Sequence, residues 1–245
     1  MSRLAVVLFN LGGPDAPDSV EPFLFNLFND PAIISAPGPL RWLLARIISR
    51  RRRREASRIY EELGGKSPLL ENTRAQAQAL QTQLGDLASA KVFIAMRYWH
   101  PRAREAMAAA ANFRPERTVF LPLYPQFSTT TTKSSLAEWR EVAEEPDVSI
   151  GCYPELAEFV SAIASGIVPM WRHAEKAGAP RLLFSAHGLP RRISEMGDPY
   201  AGQVERTAGA VATAMGLAAE QWRVCYQSRV GRLAWIGPST EDELV

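Results

Sequence analysis

Short apolar runs alternate along this chain with longer stretches of helical character. LAVVLF (4–9), KVFIAM (91–96), TVFLPL (118–123), VSIGC (148–152), RLLFSA (181–186) and WRVCYQ (222–227) are the strand candidates. Continuous apolar runs of this length suit strands buried on both faces, as in a parallel sheet under helices. Between them, 102–112, 134–144, 155–177 and 200–215 read as helices. The alternation predicts βα units in an open α/β fold. A domain junction is expected near 150–155, where CYPE separates four strands from the remainder. No internal repeat or low-complexity linker interrupts the pattern, and TTTT (129–132) is too short to count.

In such folds ligands gather outside the carboxyl ends of the strands. Those ends here carry NLGGP (10–14), RYWHP (97–101), YPQFSTTTT (124–132), SAHGLP (185–190) and YQSRVG (226–231), so polar and aromatic groups from five loops are expected to converge. Turn chemistry accounts for the glycines and prolines. It does not account for Arg97, Tyr98, Tyr124, Gln126, His187 and Gln227. His187 is one of only three histidines and stands between a small alanine and a glycine. Taken alone, a strand-end histidine satisfied by a backbone carbonyl is the commoner arrangement.

Composition narrows the field. At 245 residues the chain suits one or two domains. Its net charge is only +2, with 24 arginines against four lysines. That excess fits planar contacts with carboxylates and phosphates, and it fits codon bias equally well. Cys152 and Cys225 form no CxxC, which argues against a disulfide scaffold, a structural zinc or a cysteine-held cluster and suits a reducing compartment. MSRLAVVLFNLGGP (1–14) has too short an apolar run to span a membrane, and Asn10 and the GG turn suit a strand better than a signal peptide. A cytoplasmic protein is expected. NLGGP is not GxGxxG, LGGKSP (63–68) lacks P-loop spacing, and neither HExxH nor GxSxG occurs. A nucleophile–base pair of Ser128 and His187 lacks a third member.

LRWLLARIISRRRRR (40–54) places Leu40, Leu43, Leu44, Ile47 and Ile48 at helical spacing before five consecutive arginines. A basic amphipathic helix of this kind can lie in a membrane interface. An ordinary core-facing helix with a solvated end is the plainer alternative. A nucleic-acid partner is not expected at this net charge without an aromatic-interleaved basic face.

Taken together, LNLGGP, RYWHP, YPQFSTTTTKSS, SAHGLP, GDPY (197–200), CYQSRVG and WIGPST (235–240) resemble the ferrochelatases, in that family's order and over essentially the whole chain. The resemblance implies a chelatase-like α/β fold of two similar Rossmann-like domains with parallel sheets and a porphyrin cleft between them. The domains are expected at 1–152, carrying the porphyrin lip, and at 153–245. It also implies insertion of ferrous iron, as substrate, into protoporphyrin IX to form protohaem. His187 matches the family's metal-facing, proton-accepting histidine. Leu11 matches the position facing the porphyrin centre, Met or Tyr in some relatives, where leucine can only pack. Arg97 and Tyr98 match pocket residues on the opposite side, while Arg52, Tyr60 and Ser67 match contacts to the porphyrin or its propionates. Tyr124, Gln126 and Ser128 match pocket lining, and Gln227 and Trp235 match wall residues near the histidine. The 40–54 segment matches the hydrophobic lip, implying peripheral membrane contact.

Two departures from the family pattern set further expectations. Some relatives hold an iron–sulfur cluster through a cysteine in the YPQ-S motif and others near the C-terminus. Neither Cys152 nor Cys225 fits, so no cluster and no tightly bound cofactor are expected. Family members also continue past WIGPST through another strand, a segment with an acidic residue opposite the histidine, and a closing helix. The chain is therefore expected to be C-terminally truncated with an incomplete second domain, its terminal acids matching the start of a helix. A tetrapyrrole-binding protein that does not turn over is the alternative from another class, and a chelatase of the same fold using another metal is a third.

Overall fold

A computed structural model describes residues 3–85, 89–143, 145–229 and 233–244. The chain divides into two compact units, Met1–Tyr124 with Thr129–Gly151, and Pro125–Ser128 with Cys152–Val245.

The first unit holds β1 (Arg3–Asn10), α1 (Val20–Phe28), α2 (Gly38–Glu62), α3 (Leu69–Leu84), β2 (Ser89–Met96), α4 (Ala103–Phe113), β3 (Arg117–Pro122), α5 (Thr132–Arg140) and β4 (Val148–Ser149). Its four strands pair in parallel in the order β2-β1-β3-β4. The chain moves one way from β1 to β2 and then crosses to the other side of β1 for β3. That places a topological switch point between β1 and β3.

The central strand explains why the sheet forms. Ala5 to Phe9 are all buried, and alternate side chains enter different cores because successive residues of a strand face opposite ways. Ala5, Val7 and Phe9 pack with Phe93, Phe120, Trp139 and the alanines of α4. Val6 and Leu8 pack with Ala77 of α3 and with Val92, Ile94, Val119 and Leu121. Phe9, Phe120 and Trp139 form three edge-on ring pairs with centroids 4.9–5.7 Å apart. Each such pair adds about 0.5–1.5 kcal/mol beyond the area it buries.

The second unit holds α6 (Ala157–Glu175), β5 (Leu182–His187), α7 (Arg191–Glu195), α8 (Tyr200–Ala214), β6 (Trp222–Gln227) and α9 (Thr240–Glu243). β5 and β6 pair in parallel from Leu182 opposite Trp222 to His187 opposite Gln227. Val160 and Ala164 of α6 pack with Val211 of α8 and against Phe184 of β5. The segment 125–128 belongs here because α8 grips it. The Phe127 N–H donates to Gln203 Oε1 at 2.7 Å, Gln126 Nε2 donates to Thr207 at 2.9 Å, and Ser128 Oγ donates to Asp198 Oδ2 at 3.0 Å.

Parallel sheets, helices and mixed α/β order are therefore as the alternation predicts, with four differences. The run 148–152 contributes only Val148–Ser149, an exposed edge pair, and Cys152 lies outside any strand. β5 is not buried on both faces, since Ser185 and His187 are exposed. α5 ends at Arg140, short of the expected 144; Glu144, and Val230 and Gly231 of YQSRVG, lie outside the described residues. α2 extends the 40–54 segment to Gly38–Glu62 and corrects its apolar face. Ala45 and Ser49 are the buried positions, whereas Leu40, Leu43 and Ile47 are exposed. The stripe therefore divides, with Leu44 and Ile48 half-buried beside Ala45 and Ser49 while Leu40, Leu43 and Ile47 face outward.

Candidate functional site

In the first unit the loops after β1, β2 and β3 lie side by side. The Arg97 N–H donates to the Asn10 carbonyl at 2.8 Å, that of Tyr98 to Leu11 at 2.9 Å and that of Leu123 to Phe9 at 2.8 Å. Leu11 and Tyr124 thus leave the two strands that flank the switch point. Leu11, Tyr60 and Trp99 pack around Val20, Phe23, Leu24 and Tyr98 in one apolar cluster. The structure therefore brings Leu11, Tyr60, Arg97 and Tyr98 together, with Tyr124 at the neighbouring strand end. Ser67 joins them through the GG turn. Its N–H donates to the Pro14 carbonyl at 2.8 Å, and a Cβ on Gly13 would lie 2.5 Å from its side chain. Only glycine allows that approach. Arg52 is half-exposed on α2 and pairs with Glu55 at 3.8 Å.

Arg97 and Tyr98 do something that pattern reading did not anticipate. Arg97 Nη2 reaches Asp30 at 2.8 Å, its Nη1 reaches Glu138 at 3.2 Å, and its Nε donates to Ser134 at 2.7 Å. The Tyr98 hydroxyl donates to Asp30 at 2.7 Å. Tyr98 has no exposed surface and packs in one cluster with Leu11 and Tyr60. Burial raises the Tyr98 pKa, and the facing Asp30 charge adds to the effect. Burial likewise raises that of Tyr124, whose hydroxyl lies 3.3 Å from Ser135 Oγ.

In the second unit the sites converge on Gly188. The His187 ring Nδ1 lies 2.8 Å from the Gly188 carbonyl oxygen, with the side chain at the open end of β5. The Gly188 N–H donates to the Gln227 carbonyl at 2.7 Å. Trp235 forms an antiparallel bridge to Pro190, and its ring would stand 3.2 Å from a Cβ on Gly188. His187, Gln227 and Trp235 are thereby gathered at the ends of two neighbouring strands. Gln126 instead bonds α8 at Thr207, and Ser128 bonds Asp198 just before that helix. Ser128 is 1% exposed. Among the described residues, no group of three or more His, Cys, Asp and Glu side chains is placed to hold a metal ion.

Pattern reading missed the carboxylates that organise both groups. Asp30 lies in FNDPAI, which reads as a turn, and Asp198 lies in GDPY, a motif whose pattern gives the carboxylate no role. Asp198 is buried, and its Oδ1 accepts the Tyr200 N–H at 3.0 Å, fixing the start of α8. Tyr200 in turn hydrogen-bonds the main chain of His187; burial raises its pKa, and that bond opposes the shift.

A parallel α/β protein with an imidazole exposed at a strand's carboxyl end belongs to the class whose ligands meet strand-end loops. The Ferrochelatase family profile matches residues 3–245. Three proteins described as ferrochelatases each cover 99% of the chain. That of Caulobacter vibrioides (strain NA1000 / CB15N) is 55% identical over 251 residues, with 71% of its own length covered. That of Phenylobacterium zucineum is 50% identical, with 72% covered. That of Wolbachia sp. subsp. Drosophila simulans is 47% identical, with 79% covered. The chain belongs to the ferrochelatase family.

Proposed function

We propose that this chain is a lyase of haem biosynthesis that inserts ferrous iron into protoporphyrin IX, with His187 as its proton-accepting and metal-facing group. The observation that carries the role of His187 is its exposed imidazole tied through Nδ1 to the Gly188 carbonyl. A carbonyl oxygen only accepts, so the neutral ring carries its proton on Nδ1 and keeps the Nε2 lone pair. The reaction needs such a group. As the divalent cation takes the four porphyrin nitrogens, two pyrrole protons must leave, and Nε2 accepts them one at a time and passes each to solvent. Imidazole also suits ferrous iron as a ligand. Leu11, Arg52, Tyr60, Ser67, Arg97, Tyr124, Gln126, Gln227 and Trp235 serve porphyrin binding in this reading, with Tyr98 and Ser128 behind them. The reading includes no iron–sulfur cluster, since neither Cys152 nor Cys225 matches a cluster position of the family.

The same reading places α2 against a membrane surface in the cytoplasm. Leu40, Leu43 and Ile47 share one outward stripe with Arg51, Arg54 and Arg58, at spacings of three and four residues, opposite buried Ala45 and Ser49. Apolar residues entering the lipid and arginines at its phosphates fit an interfacial helix. No helix among the described residues is long and apolar enough to cross a membrane.

Anaerobic incubation of the full chain with a ferrous salt and protoporphyrin IX tests the activity. The haem spectrum should replace that of the free base. Porphyrin that binds but keeps its free-base spectrum would favour the non-catalytic tetrapyrrole-binding alternative.

A further inference from the structure

Asp30 follows α1 and is only 3% exposed. Its Oδ2 receives Arg97 Nη2 at 2.8 Å, the Tyr98 hydroxyl at 2.7 Å and Ser134 Oγ at 2.5 Å, while Oδ1 receives the Ala32 N–H at 2.8 Å. Burying a carboxylate is costly unless it is paired and hydrogen-bonded, and here one carboxylate collects donors from the exit of β2, the start of α5 and its own turn. Burial alone would raise its pKa. The bonds from Ser134 and the Ala32 N–H, with the Arg97 charge, outweigh that and hold it below the ordinary aspartate value.

The consequence reaches the apolar cluster. Arg97 is shared between Asp30 and Glu138, so two carboxylates of the chain itself neutralise its charge. Tyr98 is held at its ring by Asp30 and at its main chain on both sides, its N–H donating to Leu11 and its carbonyl accepting from Asn26 Nδ2 at 3.1 Å. Leu11 and Tyr60 pack with it. Fixing the Tyr98 ring therefore fixes the main chain that carries Leu11.

We propose that Asp30 is a positioning residue for porphyrin binding, acting through Arg97 and Tyr98 to hold Leu11 and Tyr60 where they pack on the macrocycle. The proposal rests on the porphyrin reading above. Wall contacts of this kind are made alike in the ground and transition states, so their loss weakens binding without slowing chemistry.

The test is Asp30→Asn in the full chain, read by protoporphyrin quenching of tryptophan fluorescence and by steady-state kinetics. Kd and KM for protoporphyrin should rise about tenfold, which is about 1.4 kcal/mol. kcat and the KM for iron should stay within about threefold. A merely structural defect reduces the active fraction, lowering kcat at unchanged KM, and that result would overturn the proposal. Tyr98→Phe removes a single donor and carries the same test if Asp30→Asn does not fold, with a several-fold rise in porphyrin Kd expected. Parental porphyrin affinity in the folded variants would also overturn it. Failure of the parent chain to bind protoporphyrin would instead overturn the reading on which the proposal stands.

Discussion

His187 Nδ1 lies 2.8 Å from the main-chain oxygen of the very next residue, Gly188. The ring is thus oriented by the turn that ends its own strand, and that turn is held by the Gly188 N–H on the Gln227 carbonyl. The position of Nε2 follows from backbone geometry, and residue 188 has to remain a glycine to keep it.

Gly188→Ala should therefore disturb chemistry more than binding. The added Cβ would meet the Gln227 oxygen at 2.8 Å and the Trp235 ring at 3.2 Å. Overpacking of this kind costs about 1–3 kcal/mol. Displacing the imidazole should lower kcat about ten- to a hundredfold. Thermal unfolding and initial rates check both expectations, and a parental kcat would show that the attachment of the ring is unimportant.

All six tyrosines have their pKa raised, with burial the largest cause in each: Tyr60, Tyr98, Tyr124, Tyr153, Tyr200 and Tyr226. Tyr226 is pushed up to about 12. Because the folded values exceed the unfolded ones, the stability linked to these phenols is complete below about pH 10 and is lost as pH rises through the folded values. Tyrosinate absorbance at pH 10 should be lower in the folded chain than in the unfolded one, and should rise together with loss of circular dichroism. A normal phenol titration in the folded chain would contradict this packing.

Liposome sedimentation checks the outward stripe of α2. Leu43→Ser with Ile47→Ser should reduce association with anionic vesicles, and raising salt should weaken what the arginines contribute. These side chains are exposed, so thermal stability should hardly change. Equal vesicle binding by parent and variant would remove the membrane role from this helix.

The sequence made β1 legible because five consecutive buried residues leave little alternative to a two-faced strand. α1 and α3 did not stand out. VEPFLFNLF carries a proline in its first turn, and LLENTRAQAQALQTQL has almost no large apolar residue beyond its leucines. His187, Gln227 and Trp235 were found as motif residues, but which side chains are buried depends on packing that spacing cannot reveal. Tyr98 and Ser128 read as lining, and the structure adds that both are buried. Asp30 had no motif to announce it, because its partners lie 67, 68 and 104 residues further along the chain.

The central claim is that His187 serves the chemical step of iron insertion. Its most direct measurement is anaerobic ferrous insertion by His187→Ala beside the parent, with protoporphyrin affinity measured on both. Loss of a general base and metal-facing ligand should lower kcat by about 10²–10⁴-fold. Porphyrin Kd should stay within about tenfold, since apolar area supplies most of the binding. Near-parental insertion by His187→Ala would contradict the account and leave His187 as a strand-end histidine bonded to its neighbour's carbonyl.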